Sequence, residues 1–214
     1  MSEKEAPRSL LDVTERTLGD YDSVAESFWA GTRDHDVTQN YAALLDALPG
    51  QAQLRLLDFG CGPGRDLLAL TAMGHIVTGL DGSPVFANMA RAHSGCSVLQ
   101  QNFLELELGE RRFDGVFANA SLFHVPRAEL SRVLGELFTC LVPGGVLFCS
   151  NPRSLERDWE GFKAQRYGTF LTRESWLELI ERVGFVVERH FLRPAGKPPD
   201  EQPWFAVVAR RPRA

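Results

Sequence analysis

The stretch Leu54–Asp66, LRLLDFGCGPGRD, constrains the fold more than any other part of the chain. Leu54, Leu56 and Leu57 supply an apolar run that reads as a buried strand, closed by Asp58. Gly60, Gly62 and Gly64 make a turn in which the backbone takes positive φ and comes close to a ligand. A helix begins near Arg65 or Asp66. Its unpaired N–H groups and positive dipole end therefore face whatever sits in the loop.

Two phosphate-binding loops share this layout, and neither fits. The dinucleotide fingerprint is G-x-G-x-x-G. Gly60 and Gly62 match it, but the third position falls on Arg65, where a glycine would let the helix pack tightly under a pyrophosphate. The P-loop needs G-K-[ST], and this chain has Gly64-Arg65-Asp66. Twenty-three residues after Asp58, the run His75–Asp81 (HIVTGLD) ends a β-branched strand in an acid. An acid there can accept both ribose hydroxyls of a nucleoside. The bland alternative is an ordinary βαβ unit with Asp81 in solvent.

The pattern D-x-G-x-G-x-G over Asp58–Gly64 resembles motif I of the class I S-adenosylmethionine (SAM) methyltransferases. Asp81 and the Pro143-Gly144-Gly145 turn add to the likeness, which extends from about Tyr21 to Arg210. The resemblance implies an α/β fold: a Rossmann-like three-layer sandwich with helices on both faces. Its seven-stranded, mostly parallel sheet would have the order 3-2-1-4-5-7-6, with strand seven antiparallel. It implies SAM as cofactor and S-adenosylhomocysteine as product.

Carried over residue by residue, the resemblance places Gly60, Cys61, Gly62 and Gly64 in the cofactor loop beside Asp58. Asp81, Gly82 and Ser83 lie at the ribose. Asn102 meets the adenine amino group and Phe103 covers the ring. Many members have Asp where Asn102 stands; the Asn amide oxygen can still accept from that amine. Asn119 and Ala120 lie under the methionine part. Tyr21 and Trp29 line the cofactor or acceptor site, or else form the apolar face of a docking helix. Arg33 can pair with a carboxylate through its planar fork. His124 faces the acceptor as a proton acceptor, or else packs and caps the helix that starts near Arg127. His35 is a second candidate base; the alternative is a solvated loop with Asp34 or Asp36 capping the next helix.

The rest of the chain arranges itself around this loop as one domain, 1–214. Residues 1–50 form a helical cap, with Tyr21, Val24, Ala25 and Phe28 at helical spacing and a second helix from about Val37 to Leu48. Residues 51–151 form the SAM-binding core. Its strands are predicted at Leu54–Asp58, His75–Asp81, Ser97–Gln100, Arg112–Asn119 and Val146–Asn151, with helices over Asp66–Met73, Pro84–Arg91 and Arg127–Leu141. Ser83-Pro84 is an N-cap followed by a first-turn proline. Residues 152–171 read as a substrate lid insertion, a long loop in which Arg153, Arg166 and Tyr167 would meet a planar or anionic acceptor. Residues 172–214 hold the last helix and an antiparallel strand pair, Phe185–Leu192 and Trp204–Arg210, joined by a Pro-rich loop.

Composition bounds the partners. The formal net charge is −5 and no basic block occurs, which weighs against a large nucleic-acid footprint. No apolar segment is long enough to span a bilayer, and the start has no signal-peptide core. Four scattered cysteines without C-x-x-C spacing suit a reduced, cytoplasmic protein with no metal site. The expected function is methyl transfer from SAM to a small metabolite or natural product, by a monomer or homodimer. Two alternatives stay open: the same chemistry on a protein side chain or tRNA, and a SAM-binding regulatory protein without turnover.

Overall fold

Leu56 and Leu57 are adjacent in strand β1 (Arg55–Phe59), yet they pack into two different hydrophobic clusters. Successive side chains of a strand point to opposite faces, so this strand is buried on both sides. The computed structural model describes residues 9–50, 53–110 and 112–213. The polar start over 1–8 and the expected cap–core boundary at 51 lie outside the described residues.

The same alternation runs through the centre of the sheet, in β4 (Phe113–Asn119), β5 (Leu141–Pro152) and β9 (Trp204–Arg210). Val116, Leu147 and Val207 face one cluster, with α6 (Arg127–Cys140) and α7 (Arg173–Arg182) packed over it. Phe117, Phe148 and Val208 face the other. That face is covered by α3 (Thr38–Leu45), α4 (Arg65–Ala72) and α5 (Pro84–Ser94). The result is a three-layer α/β sandwich.

With β2 (Ile76–Asp81), β3 (Ser97–Gln100) and β8 (Val186–Arg193), the seven strands lie in the order β3-β2-β1-β4-β5-β9-β8. β9 is antiparallel to both of its neighbours. This is the expected order, with the last strand inserted beside β5. The carboxyl ends of β1, β2, β4 and β8 therefore share one edge with the start of β9.

Three local expectations change. The 152–171 lid is not an irregular loop: β6 (Trp159–Lys163) and β7 (Arg166–Phe170) form a hairpin, with Lys163 opposite Arg166. Its aromatics pair across the two strands, Trp159 opposite Phe170 and Phe162 opposite Tyr167, and Ala164 turns the chain with φ +53. Second, β5 begins at Leu141 rather than after the Pro-Gly-Gly turn. Leu141 pairs with Phe113 and Val146 with Gly115, so the turn is an irregularity within the pairing. Third, the N-terminal helical region is two helices, α1 (Leu10–Ser23) and α2 (Ala25–Thr32), broken at Val24.

Candidate functional site

The glycine loop is fastened to the end of β2. The Gly60 and Cys61 N–H groups both donate to the Leu80 carbonyl, at 2.8 and 3.1 Å. Gly60 has φ +81, and a Cβ there would lie 2.4 Å from the Ser121 Cβ. Gly64, with φ +102, stands at the start of α4, where an added Cβ would meet the Ala90 Cα at 3.0 Å. The third glycine thus brings α4 against α5.

Asp81 closes this corner. Its carboxylate accepts from Gly62 N–H and Ser83 N–H, each at 2.9 Å. Burial pushes its carboxyl up to about 6, against the pull of those N–H groups. Ser83 caps α5 through the Phe86 N–H, and its hydroxyl donates to the Asp22 carboxylate. Asp22, which the sequence reading passed over, ties α1 to the Asp81 corner. The only signal for it was its place beside Tyr21.

Asp81 and Gly82 line a narrow inner cavity of about 100 Å³, with Asn102, Phe103, Ala120 and His124. Asn102 is held on both sides: its Nδ2 donates to Thr14 Oγ1 at 3.2 Å, and its Oδ1 accepts from Leu104 N–H at 3.0 Å. Phe103 stacks on Phe59 at 4.2 Å. Thr14, Thr17 and Leu18 of α1 form the outer wall. Ala120 holds a left-handed φ of +61, uncommon for a residue with a Cβ, where the chain leaves β4.

His124 sits at the mouth of this cavity with a defined tautomer. Nδ1 lies 2.7 Å from the Tyr167 carbonyl oxygen, which can only accept, so Nδ1 carries the proton. Nε2 is then the acceptor, and it receives the Tyr21 hydroxyl at 2.8 Å. Burial lowers the imidazole to about 4, so it is neutral. Burial raises the Tyr21 phenol despite the Arg166 guanidinium, which lies 4.0 Å above its ring.

An outer cleft of about 630 Å³ adjoins the inner cavity and shares Tyr21, Phe28, Gly60, Gly62 and Ala120 with it. Trp29, His35, Cys61, Asn119, Phe123, Arg193 and Trp204 line it as well. Asp66 anchors one wall: it accepts from Tyr41 Oη at 2.5 Å and from Arg65 at 2.7 and 2.9 Å. Asn119 Nδ2 lies 3.5 Å from the same carboxylate, and its Oδ1 accepts from Asn40 Nδ2 at 3.0 Å. Trp29 stacks on His93 at 4.5 Å.

Other expected residues stand elsewhere. Arg33 is exposed outside both cavities, 3.3 Å from Asp34. Neither Asp34 nor Asp36 is the N-cap of α3, which is Val37; Asp36, one residue earlier, accepts from the Thr38 N–H. Asp58 lies beneath the glycine loop, 1% exposed, and burial followed by the Asp66 charge holds its carboxyl well above the usual range. Cys61 is a buried thiol pushed upward by burial. Arg153 clasps the Pro199 and Gln202 carbonyls of the Pro-rich loop. Arg166 pairs with Asp20 at 2.6 Å, and the Tyr167 side chain packs with Val13 and Phe162. The arginines on the outer cleft are Arg65 and Arg193.

Comparison with known proteins bears on the domain type and the fold. Residues 57–149 match the family model described as a methyltransferase domain. A 24-methylenesterol C-methyltransferase from Oryza sativa subsp. japonica is 39% identical over 123 residues, covering 54% of this chain and 32% of that protein. A trans-aconitate 2-methyltransferase from Delftia acidovorans is 34% identical over 124 residues, covering 54% of this chain and 44% of the relative. The chain thus spans less than half the length of these two relatives. Among solved structures, a Burkholderia thailandensis 1,6-didemethyltoxoflavin-N1-methyltransferase superposes with a TM-score of 0.77 at 24% identity. That match covers 99% of this chain and 97% of the other, which holds 1,6-didemethyltoxoflavin and S-adenosylhomocysteine. Residues 57–149 therefore form a methyltransferase domain, set in a sheet with the order of the class I SAM-dependent methyltransferase fold.

Proposed function

We propose that the chain transfers a methyl group from SAM to a small-molecule acceptor. The observation that carries this is the joining of two differently built cavities at Tyr21. The inner cavity presents a carboxylate, an amide and an aromatic ring, the set that suits a nucleoside. The outer cleft, at about 630 Å³, falls within the range of small-ligand sites and is walled by Trp29, Phe123 and Trp204. Relatives acting on trans-aconitate, and a structural neighbour holding 1,6-didemethyltoxoflavin, support an acceptor of this size.

The residues present fit the cofactor. At Gly62, with φ +52, an added Cβ would meet only the edge of the Phe28 ring at 3.9 Å, so the backbone there stays open to both cavities. The Asp81 carboxylate takes N–H bonds from Gly62, Ser83 and Gly82, and of its roughly four lone-pair sites this leaves acceptor capacity for the ribose. Asn102 and Phe103 would hold the base, with Asn119 and Ala120 at the methionine part. Bound SAM supplies an electrophilic methyl on sulfur.

What the protein adds is alignment, dryness and a path for a proton. The Tyr21 hydroxyl donates to His124 and meets the Arg166 side chain, which leaves one lone pair on its oxygen to accept from an acceptor N–H or O–H. As that group is methylated, its proton can pass to Tyr21 while Tyr21 gives its own to Nε2. His124 acts through Tyr21, and the Tyr167 carbonyl holds its ring in the accepting tautomer. His35, on the rim of the outer cleft, has no such partner assigned to it in this scheme.

The test is incubation with methyl-labelled SAM and, separately, a small-metabolite fraction, tRNA and protein. Label in a small molecule is the expected result and names the acceptor. Label only in tRNA or protein would replace the acceptor class. Tight SAM binding with no label in any fraction would leave a binding protein without turnover.

A further inference from the structure

The outer cleft has one cationic wall clasped by a carboxylate and one that makes no ion pair. Arg65 is held by both Asp66 oxygens, and its Nη1 donates to the Thr32 carbonyl at 3.2 Å. Arg193 is half-buried at the end of β8. Among the described residues, no carboxylate lies within ion-pair distance of it in the way Asp66 lies on Arg65. With its amide oxygen turned toward the guanidinium, Gln39 accepts from Arg193 Nε at 2.7 Å and Nη2 at 3.1 Å. A guanidinium carries five N–H donors, so three remain for a ligand. Asp36, also on this cleft, has one oxygen committed to Thr38 N–H and Oγ1, at 3.0 and 2.7 Å.

The strand that carries Arg193 lies apart from the strand that carries the cofactor loop. Arg193 pairs in register with Trp204, and its strand lies four places from β1 in the sheet. At the usual strand spacing the β8 backbone is ~19 Å from β1 and ~14 Å from β4, while the guanidinium reaches back over the cleft to within charge range of Arg65 and Asp36. Trp204 and Phe123 line the same cleft. A half-buried cation that faces a second cation, Arg65, and meets the Asp36 carboxylate only beyond ion-pair distance gains most from an anionic ligand that makes parallel charge-assisted bonds. Aromatic neighbours favour a flat apolar body on that ligand.

We propose that Arg193 is the acceptor-recognition residue, and that the acceptor is a small aromatic or conjugated carboxylate. This rests on the methyltransferase reading and names the substrate class of that site. A carboxylate also occurs on the amino-acid part of the cofactor, so the test separates the two sources.

Calorimetry on the full chain would use S-adenosylhomocysteine, then 5′-methylthioadenosine, which lacks that carboxylate. With S-adenosylhomocysteine bound, trans-cinnamate and its neutral analogue cinnamamide are titrated in turn. The expected result is a preference for cinnamate over cinnamamide on the order of tenfold or more. That preference is lost in Arg193→Gln and partly kept in Arg193→Lys, while both nucleosides bind all three proteins alike. Equal binding of cinnamate and cinnamamide to the natural chain would overturn the proposal. So would weaker binding of S-adenosylhomocysteine, with 5′-methylthioadenosine unchanged, in Arg193→Gln; Arg193 would then hold the cofactor. Failure of the natural chain to bind S-adenosylhomocysteine would overturn the methyltransferase reading itself, a separate outcome.

Discussion

The Tyr21 hydroxyl lies 2.8 Å from His124 Nε2, and this contact joins the N-terminal helix to the loop after β4. Its direction follows from the other side of the ring, where Nδ1 must donate to the Tyr167 carbonyl at 2.7 Å. The hairpin, the first helix and the sheet edge thus meet on one imidazole.

Tyr21→Phe removes the hydroxyl and keeps the ring, so it should lower turnover on the order of a hundredfold, as loss of a proton-transfer group does. Binding of S-adenosylhomocysteine should change little. Single-turnover rates with labelled SAM, beside calorimetry, would check this; unchanged turnover would make the pair a packing contact only.

His124 also sets a pH dependence of stability. Its folded value, about 4, lies below the ordinary 6.5, so the unfolded chain takes up the proton first as pH falls. Stability contributed by this group is complete above about 6.5 and declines as pH drops toward 4. Denaturant midpoints across that window should fall less in His124→Phe than in the natural chain.

Asp81 works in the opposite direction. Its folded carboxyl is raised to about 6, so in that range the folded apo chain binds the proton more readily than the unfolded chain. Apo stability from this group therefore rises as pH falls from about 6 toward 3.8. Affinity for S-adenosylhomocysteine should do the reverse, falling below pH 6 as the carboxylate stops accepting from the ribose. Asp81→Ala should weaken binding by about tenfold or more at pH 7.5, a loss on the order of 1.5–3 kcal/mol. Calorimetry at two pH values tests both statements.

Two glycine substitutions should differ in sign. Gly60→Ala puts a Cβ at 2.4 Å from Ser121 Cβ on a backbone with φ +81, and should cost about 2 kcal/mol or more. Gly31→Ala, inside α2 with open space around it, should stabilise by up to about 1 kcal/mol. Chemical denaturation of both variants provides the measurement.

The hairpin is held to α1 by a buried bond, Tyr167 N–H to Thr17 Oγ1 at 3.0 Å, beside the Arg166–Asp20 pair. Thr17→Val keeps the shape and strands that N–H, costing about 1–3 kcal/mol. Hydrogen exchange over 159–170 should quicken in that variant. Equal protection would mean that the hairpin is held by other contacts.

The core of the fold was legible because its signals are local. The Asp58–Gly64 pattern, the strand ending at Asp81 and the Ser83-Pro84 cap each depend on a few neighbouring residues, and each is found in place. The hairpin was less legible. Trp159, Phe162, Tyr167 and Phe170 look like lid aromatics until their register pairs Trp159 with Phe170 and Phe162 with Tyr167. Arg33, Arg153 and Arg166 drew attention as free cations, yet Asp34, the Pro-rich loop and Asp20 take them. Arg193 was passed over, although it ends a strand on the ligand edge.

The amino-acid order by itself determined the strand–glycine loop–helix unit, the acid that ends β2 and the alternation that buries the sheet on both faces. These follow from backbone freedom, strand periodicity and capping within short spans. Tertiary structure alone decided the proton position on His124, which depends on a carbonyl 43 residues away. It also decided which arginine keeps its charge open to the cleft. A cation is defined by what lies within a few ångströms of it, and Gln39, Trp204 and Arg193 come together only when the sheet is assembled.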